Sequence, residues 1–214
     1  GSASANVSAS ASSVSKGETL IDTGRTLDMM GVDGIIVRHP HSGAPHLLAR
    51  NVKASVINAG DGMNEHPTQA LLDMYTIVEN KGSLDGLKVG IAGDVLHSRV
   101  ARSNAIGMSK MGAEVRLYSP GTLMPPGMDK LGATVCGSLK SGLFPSVREY
   151  SKYYGIGLDE LSYAKDDALL MHPGPMNRGV EISTYAADCE QSVISEQVQN
   201  GVAVRMALLY TLCR

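Results

Sequence analysis

Apolar positions along this chain follow two alternating rhythms. Short runs read as strands: Gly34-Ile35-Ile36-Val37, Ser55-Val56-Ile57, Lys88-Val89-Gly90-Ile91-Ala92-Gly93, residues 114–118 and Ala168-Leu169-Leu170-Met171. The first has the look of a buried strand, and a weaker one is expected over 133–136. Between these runs, apolar residues recur at helical spacing. Leu20, Ile21, Leu27 and Met30 share a face ahead of Gly31, and Leu71, Leu72, Tyr75 and Val78 share one between Pro67 and Gly82. Further helices are expected over 98–111, closed by Gly112, and over 195–212. Shorter ones are expected over 45–50, after Pro126, over 145–154 and over 158–163, with 137–143 as a loop. Gly24 falls inside the first helix, where glycine costs up to about 1 kcal/mol relative to alanine.

Strands that alternate with helices predict an α/β fold with parallel sheets flanked by helices. The order of elements suggests two αβ domains, residues 1–80 and 81–193. The last helix, 194–214, is then free to pack back across both. In such folds the carboxyl ends of the strands gather on one edge, where ligands bind. Polar residues stand at several of those exits here: Arg38-His39-Pro40, the turn to His66-Pro67, Asp94 through Arg99, and His172-Pro173. A proline after each histidine disfavours helix at that residue and fixes a turn.

The richest stretch runs from Asn58 to Ile77. A strand enters the glycine turn Gly60-Asp61-Gly62, which delivers His66 to a helix mouth. Pro67 occupies the first helical position, where its missing N–H is not needed. A helix N-terminus favours anions.

Composition narrows the classes. Hydrophobic residues make up 43 % of 214, with one Phe and no Trp, so the core rests on aliphatic side chains and Met. A net charge of −2 without a basic block argues against a nucleic-acid partner. No run approaches the roughly 18 apolar residues of a membrane span. Cys136, Cys189 and Cys213 are odd in number and far apart, as in a cytosolic protein with free thiols. The Ser- and Ala-rich residues 1–15 have the composition of a disordered tail.

Several chemistries fail on motif. Gly90-Ile91-Ala92-Gly93 lacks the G-x-G-x-x-G spacing, and the next strand ends in Tyr118-Ser119 rather than an acidic residue. There is no Walker lysine, no H-E-x-x-H beside His39 and His41, and no G-x-S-x-G elbow. No cofactor is expected. Arg38, His66, Gln69 and Arg99 remain, with Lys16 and the serines before it as further members. Guanidinium groups hold phosphate and carboxylate in two-point contacts, and a neutral histidine can donate to a carbonyl oxygen. With no covalent nucleophile in the set, the residues suit direct attack of one bound substrate on another.

The block N-A-G-D-G-x-x-x-H-P-T-Q-A-L-L-D-x-x-T-I closely resembles the signature of aspartate carbamoyltransferase catalytic chains, and the likeness spans nearly all of residues 6–214. Residues 12–19 resemble the family's mobile loop, and Val37-Arg38-His39-Pro40 a carbamoyl-phosphate segment. Residues 93–99 resemble the opening of the aspartate domain, and Met171-His172-Pro173-Gly174-Pro175 the segment that closes over the carbamoyl group. The sister ornithine carbamoyltransferases have a related H-P-x-Q but carry H-C-L-P where this chain has His172-Pro173-Gly174-Pro175, which favours aspartate.

The resemblance implies transfer of a carbamoyl group from carbamoyl phosphate to L-aspartate, an early step of pyrimidine synthesis in the cytoplasm, without a cofactor or metal. It implies that His66 and Arg38 bind the carbamoyl oxygen and phosphate, and that Gln69 contacts the carbamoyl amide. Arg99 would hold an aspartate carboxylate, and the carbonyls of Gly174 and Pro175 would accept from the carbamoyl nitrogen or the attacking amine. Ser12 and Lys16 would reach a neighbouring subunit's site in a homotrimer, which turns the serine-rich start from a tail into a loop. A cis bond before Pro175 and a regulatory or dihydroorotase partner also belong to what the resemblance implies. Two family motifs do not occur: the phosphate-cradling S-T-R-T, and the R-x-Q-x-E-R loop that supplies a second aspartate-binding arginine and a glutamine, whose place falls near 140–143. Their loss implies activity near background, or a non-catalytic scaffold of the same family, with an exposed apolar surface on the first domain.

Overall fold

The computed structural model describes Ser4, residues 19–136, Ser151 and residues 155–213. Helix α1 (Leu20–Met29) opens on a capping box: Asp22 N–H donates to Thr19 Oγ1, and the Thr19 hydroxyl donates to the Asp22 carboxylate at 2.6 Å. Strand β1 (Gly34–His39) follows, then α2 (Ala44–Ala49), β2 (Ser55–Asp61) and α3 (Pro67–Lys81). The second half holds β3 (Lys88–Ala92), α4 (Arg99–Lys110), β4 (Glu114–Tyr118), two 3₁₀ turns and β5 (Ala133–Cys136). Short helices α5 (Leu158–Leu161) and α6 (Thr184–Ala187) precede the long α7 (Ile194–Leu212). Among the described residues, β1 and β2 form one parallel sheet, and β3, β4 and β5 another in that order. The parallel α/β expectation is met.

Three expectations change. The run Gly34–Val37 is half-buried: Ile35 and Val37 point into the core, while Ile36 is 60 % exposed. Residues 168–171 do not form a strand; Leu170 makes only an isolated parallel bridge to Ser192. The 3₁₀ turn Gly121–Leu123 and helix α6 went unforeseen. The helix expected over 145–154 lies outside the described residues except for Ser151, as does the loop at 137–143.

Two apolar clusters position the candidate site. Ile35, Val37 and Leu48 seal the first sheet against α1 and α2. Ala105, Met108, Val115, Leu117 and Ala133 fill the second sheet beneath α4, and Ile77 from α3 joins them. Helix α7 then packs back against α3. Near its start Gln197 and Asn200 donate to Asp73 and Thr76 of α3, and at its end Leu212 O accepts from the Ser55 hydroxyl at 2.6 Å. Much of its outer face is bare, with Val198, Val202, Met206 and Tyr210 exposed.

The glycine turn is held by one carboxylate. Asp61 is fully buried and accepts from Gly43 N–H (2.6 Å), Asn58 Nδ2 (2.8 Å), Asn64 Nδ2 (3.0 Å) and Glu65 N–H (3.1 Å). It thereby ties the end of β2 to the start of α2 and to the approach of α3. Burial alone would raise its pKa, but those four donors outweigh burial and hold it below the usual carboxylate range.

Gly24 proves to be a packing requirement rather than a defect. It is buried, and a Cβ there would collide with Leu48 Cδ1. Gly24→Ala is expected to destabilise by about 1–3 kcal/mol despite its better helix propensity, read as a lower urea midpoint. Asp61→Asn replaces one acceptor oxygen by a donor that faces donors, and is expected to lose about 3 kcal/mol. Because the folded pKa of Asp61 lies below its unfolded value, its stabilisation is complete above about pH 4 and is lost as pH falls through the lowered value. The acid limb of the stability–pH curve should therefore be shallower in Asp61→Asn; an unchanged limb would contradict this assignment.

Candidate functional site

The site starts with a flaw in the β1–β2 ladder. Val37 pairs with Asn58 and His39 with Asp61, so Ala59 and Gly60 of β2 together oppose Arg38. Such a bulge bends the strand and re-aims side chains. Gly60 adopts φ 115°, and a Cβ there would meet Arg99 Nε at 2.8 Å. Glycine is needed at this position for its backbone angle and for the approach of the guanidinium. Arg99 Nη1 also donates to Gly62 O at 3.2 Å. Arg99 is the first residue of α4, capped by Ser98, whose Oγ accepts from Ala101 N–H. The bulge thus brings a residue from the second half of the chain onto the end of the first sheet.

His66 stands at the N-cap of α3 with Pro67 next, as the sequence suggests. Its N–H donates to Ser103 Oγ of α4 at 2.8 Å, and its Nδ1 lies 3.2 Å from Thr68 Oγ1. Desolvation lowers the imidazole pKa to about 4, assisted by the positive charges of Arg99, Arg38 and Arg205. His66 is therefore neutral near pH 7. Three guanidinium groups bear on one ring, and Arg205 is one that motif reading missed. It sits on α7 one turn after Gly201, where a Cβ would meet Arg205 Nη1 at 2.5 Å.

Gln69, one turn into α3, is buried and donates from Nε2 to Asp73 Oδ1 at 2.9 Å. Asp73 is 3 % exposed and also accepts from Asn104 Nδ2 at 2.8 Å and Gln197 Nε2 at 2.7 Å. Gln197 Oε1 in turn accepts from His172 N–H at 2.9 Å. That bond fixes the base of the segment His172-Pro173-Gly174-Pro175, whose last peptide bond is cis as anticipated. Gly174 N–H donates to His172 Nδ1 at 2.9 Å, so Nε2 carries the ring proton and faces Glu181 at 3.4 Å. Burial lowers the His172 pKa against the pull of Glu181.

Arg38, His66 and Arg99 are thus brought together. Gln69 follows His66 on the same helix, and Gly174 and Pro175 connect to it through Gln197 and Asp73. Ser12 and Lys16 lie outside the described residues. Thr68, Asp73, Ser103, Asn104, Gln197 and Arg205 were not singled out from sequence. Asp73 had a signal: it lies four residues after Gln69 and seven after His66, on one helix face. Gln197 and Arg205 had none, since their relevance depends on where α7 docks. Among the described residues there is no group of three or more His, Cys, Asp or Glu that could hold a metal, and no helix is long and apolar enough to cross a membrane.

The family model described as "Aspartate/ornithine carbamoyltransferase, carbamoyl-P binding domain" matches residues 1–79, and the companion "Asp/Orn binding domain" model matches residues 133–212. The aspartate carbamoyltransferase catalytic subunit of Acetivibrio thermocellus is 63 % identical over 230 residues, which takes in 98 % of this chain and 74 % of the relative. That span exceeds the 214 residues of the chain, so at least 16 aligned positions of the relative have no counterpart here. The crystal structure of aspartate transcarbamoylase from Trypanosoma cruzi in complex with carbamoyl phosphate and aspartate superposes with a TM-score of 0.80 at 28 % identity, covering 98 % of this chain and 74 % of that one. An ornithine carbamoyltransferase from Pyrococcus furiosus superposes at 0.78, also at 28 % identity, over 92 % and 71 %. Sequence and architecture agree, and the chain belongs to the aspartate/ornithine carbamoyltransferase family.

Proposed function

We propose that the chain transfers the carbamoyl group of carbamoyl phosphate to the α-amine of L-aspartate, giving N-carbamoyl-L-aspartate and phosphate for pyrimidine synthesis. The observation that carries this reading is a neutral histidine in the field of three arginines, at the junction of β2, α3 and α4. Aspartate is favoured over ornithine by the 63 % identity to an aspartate carbamoyltransferase catalytic subunit.

In this reading the amine lone pair attacks the carbamoyl carbon and the C–O bond to phosphate breaks. The C–O electron pair leaves with the phosphate, which takes up the proton the amine loses, and no covalent enzyme intermediate forms. Arg38 balances the phosphate charge. If the Thr68 hydroxyl donates to Nδ1, His66 holds its own proton on Nε2 and presents it to the carbamoyl oxygen as negative charge develops there. A neutral donor suits this task, since it gives no proton away at pH 7. Gln69 orients the carbamoyl amide, Arg99 takes an aspartate carboxylate, and the carbonyls of Gly174 and Pro175 accept N–H groups. Lys16 and Ser12 contribute from a neighbouring subunit of a homotrimer. A cytoplasmic setting suits Cys136, Cys189 and Cys213, which are all free thiols.

A second reading rests on two observations: at least 16 aligned positions of a close relative have no counterpart here, and the R-x-Q-x-E-R motif does not occur in the sequence. In that reading the chain is a scaffold that keeps the family's assembly and has lost its substrates. Calorimetric titration with carbamoyl phosphate separates the two. Saturable heat, followed by slow product formation with aspartate and none with ornithine, is the expected result; absence of heat favours the scaffold.

Arg38→Ala is expected to weaken carbamoyl phosphate binding by about 10- to 150-fold, the equivalent of one hydrogen bond to a charged group at about 1.5–3 kcal/mol. For His66, ¹H–¹³C spectra of the unliganded protein should show a ring titration centred near 4. The unfolded chain takes up this proton first, at about pH 6.5. Acidification between those two values therefore favours unfolding through His66. A midpoint near 6.5 in the folded protein would show that the ring is solvated and the arginine field ineffective.

A further inference from the structure

We infer that Asp73 is a positioning residue for carbamoyl phosphate, an acceptor-only hub that sets the orientation of Gln69 and, through Gln197, the backbone of the His172–Pro175 segment. The inference rests on the carbamoyl-transfer reading for its ligand, and on geometry for the hub itself.

Both carboxylate oxygens are engaged, and every partner is a side-chain amide. Oδ1 accepts from Gln69 Nε2 and Gln197 Nε2, and Oδ2 from Asn104 Nδ2. An amide has a donor end and an acceptor end that are nearly the same shape, so packing alone does not choose between its two orientations. A carboxylate chooses: it draws every NH₂ inward and turns every amide oxygen away. The outward oxygens then act. Gln197 Oε1 takes the N–H of His172. Gln69 Oε1 is left as an acceptor suited to the NH₂ of a carbamoyl group, three residues along α3 from His66.

Asn104 shows that the carboxylate dominates. Its Oδ1 is buried without a hydrogen-bond partner while its Nδ2 faces Asp73. Flipping the amide would set that oxygen against a carboxylate oxygen 2.8 Å away, so the unpaired orientation is the better of two poor ones. The arrangement also joins parts distant in sequence. Gln69 and Asp73 belong to α3, Asn104 to α4 and Gln197 to α7. Burial pushes the Asp73 carboxyl up, while Asn104, Gln197 and Gln69 and the charge of Arg205 oppose that shift.

The test is Asp73→Asn in the complete chain. It keeps size and shape but puts an NH₂ where only acceptors serve. Carbamoyl phosphate affinity is expected to fall at least about tenfold, the equivalent of one hydrogen bond to a charged group. The amide protons of Gln69 and the N–H of His172 should exchange faster in ¹⁵N spectra. Val115→Ala, a core substitution in β4 that removes no hydrogen bond of the hub and is chosen to match the loss in Tm, should leave both readouts at the parent values. If Asp73→Asn does not fold, Gln197→Leu leaves the carboxylate in place with its bonds to Gln69 and Asn104, and removes the arm from Asp73 to His172; it should lower affinity and expose that N–H. Parent-like affinity and exchange in either folded variant overturn the inference. A parent chain that gives no heat with carbamoyl phosphate defeats the functional reading instead, and the exchange measurements then decide the hub alone.

Discussion

The structure depends first on the buried carboxylate of Asp61. Parallel strands leave their carboxyl ends ragged, and the turn after β2 must satisfy several N–H groups away from water. One side chain accepts four of them. That fixes Gly60 beside Arg99, puts His66 at the mouth of α3, and joins α2 to the same corner. Burying a charge is costly unless it is paired or fully hydrogen-bonded, and here the donors outweigh the burial. The glycines on either side serve the same end. Gly62, at φ 50°, would carry a Cβ within 2.8 Å of Pro40 O and 2.6 Å of Ser42 Oγ. The loop after β1 can close over the turn only because that Cβ is absent.

Much of this was legible in the sequence for a physical reason. Elements with strong periodicity and clear punctuation stand where the pattern put them: α3 between Pro67 and Gly82, α4 after its Ser98 cap, β4 over 114–118. Where the reading failed, packing decided. An apolar run cannot reveal whether both faces of a strand are covered, so Ile36 looked buried and is not. Residues 168–171 have the composition of a strand, yet their partner is a single residue, Ser192, at the approach to α7. Gly24 looked like a propensity error, because nothing local shows that Leu48 will lie against it.

The candidate site divides along the same line. Arg38, His66, Gln69 and Arg99 are visible because they lie at strand exits and helix starts, which the order of elements predicts. The groups that set their orientation are not visible. Ser103 receives the His66 N–H from thirty-seven positions away, and Gln197 reaches Asp73 from one hundred and twenty-four. Such pairs follow from how α4 and α7 dock on α3, which no local spacing encodes. The absent R-x-Q-x-E-R motif lies at the opposite extreme. Its absence is plain in the sequence, while its place near 140–143 lies outside the described residues.

These features meet in the electrostatics of the site. Three guanidinium charges around a half-buried imidazole repel one another, and the ring adds no charge because desolvation keeps it neutral. A protonated His66 would add a fourth positive charge and release its proton to whichever base arrived first. As a neutral ring it leaves the attraction for an anion to the arginines and keeps a donor for an oxygen that becomes negative only during reaction. In the proposed reaction carbamoyl phosphate supplies the counter-charge, and its binding relieves the arginine repulsion. Rate then depends on how closely the donors already point at the reacting carbonyl. That is why a network of amides on one buried carboxylate, remote from any bond that breaks, belongs to the chemistry as well as to the fold.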